Sequence, residues 1–127
     1  MKNILKSLLL LTLFFTNSIN ADSLSSPKGV VKNFFSLLEK NDVEQIKSSI
    51  PKDRYLMHNE LNDWDKWIGI WHSYELVNIG KVQERKYVRK GRGKSVKVHV
   101  VLKIDGKEMP GTIQVSRINN KWVWDEN

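Results

Sequence analysis

Apolar positions change their spacing once along this chain, from the three- and four-residue repeat of helices to the two-residue repeat of strands. Val30, Val31, Phe34, Phe35, Leu37 and Leu38 stand at helical spacing, with Lys28, Lys32, Ser36 and Lys40 on the other side. That pattern predicts an amphipathic helix with one buried stripe. Ser26 can accept hydrogen bonds from the free amides of its first turn, and Pro27 suits the first helical position, where its missing N–H would go unpaired in any case. Asn41 or Asp42 opens a second, shorter helix through about Ser49, with Val43, Ile46 and Ile50 directed inward, and Pro51 stops it. A third helical region runs from about Lys52 to His72 and breaks near Asn62 and Asp63, whose side chains can cap a new start. Trp64, Trp67, Ile68 and Trp71 share one face of it.

From Tyr74 the period becomes two. Leu76 to Ile79 opens a strand, Gly80 marks a bulge or bend, and Val82 to Arg89 continues extended toward a Gly91-Arg92-Gly93 turn. In Ser95 to Ile104, Val96, Val98, Val100, Leu102 and Ile104 alternate with Lys97, His99, Val101 and Lys103, the clearest strand in the chain. Asp105-Gly106 predicts a tight turn. Lys107 to Pro110 leads into a strand at Thr112 to Ile118, and Asn119-Asn120 signals a second hairpin, completed by Lys121 to Trp124. Helices followed by about four antiparallel strands define an α+β domain whose helices pack on one face of a curved sheet.

The start of the chain bears on location. Lys2 and Lys6, an apolar run from Leu8 to Phe15 broken only by Thr12, and a polar stretch from Thr16 to the small residue Ala21 have the layout of a cleaved secretory signal. The run is too short to span a membrane, which takes about 20 apolar residues. Residues 1–21 are therefore expected to be removed after Ala21, residues 22–26 to form a flexible lead-in, and residues 27–127 to form one domain, periplasmic or secreted. The sequence has no cysteine, so an exported chain of this kind has neither a disulfide nor a lipid-modified cysteine and holds together by packing. Five Trp, three Tyr and, of the four Phe, the two beyond residue 21 supply the large apolar areas this needs.

Charge is unevenly placed. The chain carries +7, and loss of Lys2 and Lys6 leaves +5. The stretch from Lys81 to Lys107 alone holds +8, so the remainder is net acidic. Arg85, Lys86, Arg89, Lys90, Arg92, Lys94 and Lys97 are the candidates for contact with an anionic surface or partner. A solvated hairpin guarded by lysines explains the same residues without a partner. Nucleic acid is not the expected partner, because no helix-turn-helix or aromatic RNP-like pattern accompanies the charge.

Ser26-Pro27 ahead of Val30-Val31, Phe34-Phe35 and Leu37-Leu38, the offset Asn41-Asp42, the Tyr74-Glu75-Leu76 strand start and the terminal Trp122-Val123-Trp124 give the chain a layout that resembles the NTF2-like superfamily. Within it, the chain is similar to the small exported bacterial proteins of the DUF4878 or lumazine-binding-like kind. The resemblance covers nearly all of residues 27–127 and rests on layout, not on a catalytic motif. It implies a sheet curled around helices into a cone whose mouth holds a small ligand, and a homodimer formed through the sheet. Lys97, His99 and Lys103 on the outward face oppose a dry sheet interface, since unpaired charge is costly to bury.

Candidate chemistry is sparse. Ketosteroid isomerase, an enzyme on the fold this resemblance implies, places an aspartate on the sheet and a tyrosine from the helices inside the cone. Here Asp105 falls in a turn and Asp125 at the end of the last strand, where both are expected at the surface. The epoxide-hydrolase variation of the fold requires an Asp-Arg-Asp set, for which only Arg117 stands on a strand. His58, His72 and His99 lack the spacing of a zinc site, no cysteine completes one, and Gly91-Arg92-Gly93 lies between strands and not before a helix, so neither metal nor cofactor is expected. The indole face reads first as core. Read as a ligand site, Tyr55, His58, Trp64, Trp67, Trp71 and Tyr74 are the cone-mouth lining. The expectation is thus an exported, non-enzymatic domain that binds a small apolar ligand or an envelope protein. A small lyase or isomerase using the same pocket, and a structural accessory of an envelope assembly, are the alternatives.

Overall fold

A computed structural model describes residues 25–126; the expected secretory signal, Asp22 to Leu24 of the lead-in and Asn127 lie outside the described residues. Four helices come first: α1 (Pro27–Glu39), α2 (Val43–Ser48), α3 (Lys52–Leu61) and α4 (Trp64–His72). Four strands follow, β1 (Glu75–Glu84), β2 (Lys94–Ile104), β3 (Lys107–Ile118) and β4 (Lys121–Trp124), paired in chain order as an open antiparallel meander. The α+β class and the helix-on-sheet layering are those the sequence predicts.

The predicted caps form. The Ser26 hydroxyl accepts from the Gly29 amide at 3.1 Å with Pro27 in the first turn of α1, and the Asp42 carboxylate accepts from the Gln45 amide at 3.3 Å to start α2. Val43, expected inward, is 36% exposed, because as the first residue of α2 it precedes the turn that Ile46 and Ile50 bury. The break between α3 and α4 is made by backbone and not by a side-chain cap. Asn62 adopts a left-handed conformation (φ 51°), and Asp63 makes no capping bond but turns its carboxylate to His58.

Both two-residue hairpins are of the type that matches strand twist, with Asp105 and Gly106 (φ 50° and 78°) and Asn119 and Asn120 (φ 51° and 64°) all at positive φ. Gly80 lies in a register shift between Ile79 and Val82, the bulge its position predicted. Two strand boundaries differ from expectation. β1 stops at Glu84, and residues 85–93 leave the sheet, because Arg92 is drawn into the interior described below. β3 starts at Lys107, with Pro110 inside it opposite Val101. Because β4 pairs only with Val115 to Ile118, Pro110 lies where β3 is an edge and a missing N–H is tolerated.

One core joins the layers. α1 touches all four strands and also packs on α2 and α4. Its Val30, Val31, Phe34, Phe35 and Leu38 meet Val96, Val98, Val100, Leu102, Ile113, Val115 and Trp124 from the sheet. The Phe34 and Trp124 rings stack at 3.6 Å between centroids, 11° from parallel. This stack pins the short β4 to the helix layer.

Candidate functional site

The six residues predicted as a cone-mouth lining are brought together, but as packing. Trp64, Trp67 and Trp71 are buried, and Phe34 meets Trp67 and Trp71 edge-on at 5.8 and 6.1 Å. His58, 1% exposed, lies between Trp64 and Trp67 at 4.7 Å from each ring. Tyr55 leans on Trp64 from outside, and Tyr74 meets Trp71 edge-on. Trp64 is further tied by its Nε1–H to Asn59 at 2.7 Å, with the Lys47 ammonium 5.3 Å from its ring. An indole face of this width is filled by its own helices, which is the core reading of the same spacing. Three buried polar atoms inside this layer, His58 Nε2, Trp67 Nε1 and Trp124 Nε1, have no protein partner among the described residues.

Asp125 is where expectation and structure part most. Predicted at the surface, it is 1% exposed. Its Oδ1 accepts from Arg54 Nε at 2.5 Å and Arg92 Nη2 at 2.9 Å, and its Oδ2 accepts from Arg92 Nε at 2.9 Å, Gln114 Nε2 at 3.0 Å and Ser116 Oγ at 2.5 Å. Arg92 also donates to Asp53 at 3.0 Å, and Ser95 meets Ser116 at 2.7 Å. An Asp-Arg-Asp array, Asp53–Arg92–Asp125, therefore exists, built from a helix, a loop and the chain end. Burial alone would push the Asp125 carboxyl up, but the hydrogen bonds from Arg92, Arg54 and Ser116 together outweigh it and hold the group below the usual carboxylate range. With five donors on two oxygens it has no lone pair left to act as a general base. Hydrogen bonding to Asp125 in turn raises Arg92 further, against the effect of burial. Beside them Glu126 takes the Gln114 amide at 2.7 Å, and its burial pushes its carboxyl up despite that bond.

The predicted anion-contact set loses Arg92 for the same reason. Its side chain is 4% exposed and bound on both sides to carboxylates. Arg89 joins Asp53 at 3.5 Å, and Lys94 joins Glu84 at 2.6 Å on the surface. Lys86, Lys90 and Lys97 are exposed, and Arg85 is half-buried.

A cleft of about 680 Å³ opens elsewhere, between the first half of α1, the end of α2 and the β3–β4 hairpin. Val30, Asn33 and Phe34 line one wall, Ser48 and Ser49 another, and Arg117, Asn120 and Lys121 through Trp124 the third. None of the six predicted lining residues is among them. Four successive residues of a strand point alternately to opposite faces, so a space bordered by all four lies along the strand's edge. The register sets what that edge offers. Asp125 N–H bonds the Gln114 carbonyl at 2.9 Å, and Ile118 faces Lys121 across the two-residue turn. Alternation then places Lys121, Val123 and Asp125 in pairing with β3 and turns the N–H and C=O of Trp122 and Trp124 away from it, with Trp124 itself fully buried against Phe34. Arg117 holds its guanidinium 5.6 Å from the Trp122 ring centre. The charged residues of the lining, Arg117 and Lys121, are both cations.

No family model and no curated protein matches the chain. Among solved structures, a Campylobacter jejuni protein named an NTF2-like transpeptidase superposes with a TM-score of 0.46 at 12% identity, over 80% of this chain and 99% of that one.

Proposed function

We propose that this chain is an exported, non-enzymatic domain of the NTF2-like kind that binds its partner or ligand in the cleft between α1 and β4. The cleft carries the reading. It joins the half-buried Trp122, beside the buried Phe34–Trp124 stack, to two cations and several small polar groups, the mixture of apolar wall and few polar groups that binding sites present. Arg117 and Lys121 favour an anionic occupant over a purely apolar one. A lyase or isomerase needs a carboxylate or imidazole with a tuned pKa facing a pocket. Here Asp125 is neutralised by two guanidinium groups, and His58 is enclosed by indoles. Export rests on the charge, apolar run and small residue of the first 21 positions.

Titration of isotope-labelled protein with naphthalene sulfonate, followed by amide NMR, tests the site. Shifts concentrated at Val30 to Phe34 and Lys121 to Trp124, lost in Trp122→Ala, are the expected result. Shifts only elsewhere, or none, overturn it.

A further inference from the structure

Residues 85–93 leave the sheet between β1 and β2 and hold five cations in nine positions with no acid. Lysines that guard a sheet edge stand along a strand, and these do not. Part of the charge is used inside the protein: Arg92 is held by Asp53 and Asp125, Arg89 joins Asp53, and Arg85 is half-buried. Lys86 and Lys90 are exposed and have no acidic partner among the described residues. Between them Tyr87 is 85% exposed, the most exposed large apolar side chain among the described residues, and Val88 beside it is 42% exposed. Single apolar residues at a surface are ordinary, but this adjacent pair shares one short stretch with two unpartnered cations. The loop is also fixed at its base. The Arg85 N–H bonds the Ser95 carbonyl at 3.0 Å, and the Gly93 N–H bonds the Arg117 carbonyl at 2.7 Å. The Arg92 N–H closes a turn on the Arg89 carbonyl at 3.1 Å, with Gly91 at φ 85° supplying the left-handed third residue of that turn. The Arg92 fork on buried Asp125 fastens the turn to the end of the last strand, so little ordering remains to be done on binding.

We infer that this loop is a membrane-contact tip, in which Tyr87 and Val88 enter the headgroup layer of a bilayer while Lys86 and Lys90 engage anionic lipid. A tyrosine suits that depth, having an apolar ring and a hydroxyl that stays wet. Lysine stems lie along apolar surface and carry their ammonium groups out to the phosphates. The mixture selects this partner over others of the same charge. A soluble polyanion or an acidic protein face would engage the lysines and leave Tyr87 and Val88 in water, whereas an anionic bilayer takes up both. A small apolar ligand needs a concave wall, which a projecting loop does not supply. Each cation near such a surface adds roughly fivefold in affinity, so two lysines and two apolar side chains make a reversible attachment and not a permanent anchor. The tip is separate from the cleft between α1 and β4, since none of residues 85–93 lines that space, and failure of either reading leaves the other standing.

The protein is expressed from its full sequence, purified as the cell leaves it, and mixed with sucrose-loaded vesicles of phosphatidylcholine alone or in equimolar mixture with phosphatidylglycerol. Cosedimentation is expected to be at least about tenfold stronger with the anionic vesicles at low salt, the ratio falling as salt rises. Lys86→Ala combined with Lys90→Ala should weaken binding on the order of thirtyfold. Tyr87→Ser should weaken it at least about fivefold. Thermal midpoints should stay unchanged, because all three positions are exposed. Any attraction due to residues 1–21 is common to every variant, so the loop is read from the differences between them. The chain has no cysteine, and Val88→Cys therefore gives a single labelling site. A nitrobenzoxadiazole label there should shift to the blue on anionic vesicles. The same label at Met109→Cys, exposed and paired with Leu102 toward the opposite end of the sheet, should not. Equal binding to both vesicle types, or to neither, overturns the inference. Charge-dependent binding without a blue shift at residue 88 also overturns it and assigns the lysines to a soluble polyanion or an acidic protein. Full competition by free glycerol phosphate, at the concentration of the anionic headgroups, overturns it in favour of a soluble anion.

Discussion

Arg92 donates from two nitrogens to the two carboxylate oxygens of Asp125, 33 residues further along the chain, and does so with both side chains withdrawn from solvent. Arg54 closes on the same carboxylate from α3. A loop, a helix and the end of the last strand are joined in one charged knot. Removing one member of such a group is more damaging than replacing the whole, because the remaining charges stay buried without compensation.

Asp125→Ala is accordingly expected to cost about 3–5 kcal/mol of stability, read from urea unfolding midpoints. Arg92→Lys should recover little of the loss seen in Arg92→Ala, since a single ammonium cannot reproduce a two-nitrogen fork. Full recovery by lysine would show that charge alone matters there.

Two carboxyls give opposite pH slopes. The folded Asp125 carboxyl lies below its unfolded value, so its contribution is present above the ordinary carboxylate range and is lost only in strong acid, as pH falls through its lowered folded value. Glu126 lies above its unfolded value, so the folded state binds the proton more tightly. Its contribution is complete below the ordinary glutamate range and declines as pH rises through the raised value. Urea midpoints measured from about pH 3 to about pH 8 should show that decline, and Glu126→Gln, which keeps an oxygen for the Gln114 amide, should remove it.

Trp67→Ala opens a void among Phe34, His58 and Trp64. The expected cost is about 3–5 kcal/mol, with loss of near-ultraviolet dichroism from the aromatic layer. A variant of unchanged stability would mean that the indole borders space and not neighbours.

Asn120 sits at φ 64° in the β3–β4 turn. Alanine there should cost about 1–2 kcal/mol, while glycine should be tolerated, because the left-handed conformation penalises a Cβ without a compensating polar group. Thermal unfolding of both variants checks the difference.

Intact mass of the protein recovered from an envelope fraction should correspond to a chain beginning at Asp22. Recovery of the full-length chain from the cytoplasm alone would contradict the secretory reading of Lys2 to Ala21.

Much of this architecture was legible. Periodicity located α1, the α3–α4 region and β2, and the Asp105-Gly106 and Asn119-Asn120 pairs announced both hairpins, since these are local consequences of side-chain spacing and φ preference. The polar knot was not. Arg54 and His58 continue the helical spacing of Ile50, and a face with Arg and His where apolar residues belong was the available sign that α3 turns a polar side inward. Nothing local links that face to Asp125, which follows the last strand, and a terminal acid reads as solvated until its partners are known. Arg92 was hidden differently, among nine other cations between Lys81 and Lys107. The cleft escaped because it lies where the β3–β4 hairpin meets α1 and the end of α2, which depends on tertiary packing and not on residue type.

Arg54 and Asp125 lie 71 residues apart, the first opening α3 and the second following the final strand. Their contact closes a loop that contains the entire meander, so it forms only after β1 to β4 have brought the chain end back to the helices. An interaction made that late adds little to the speed of folding and much to the barrier against coming apart. The charged knot is in this sense a brake: it sets how long the molecule lasts once folded, in a chain with no cysteine to form a disulfide.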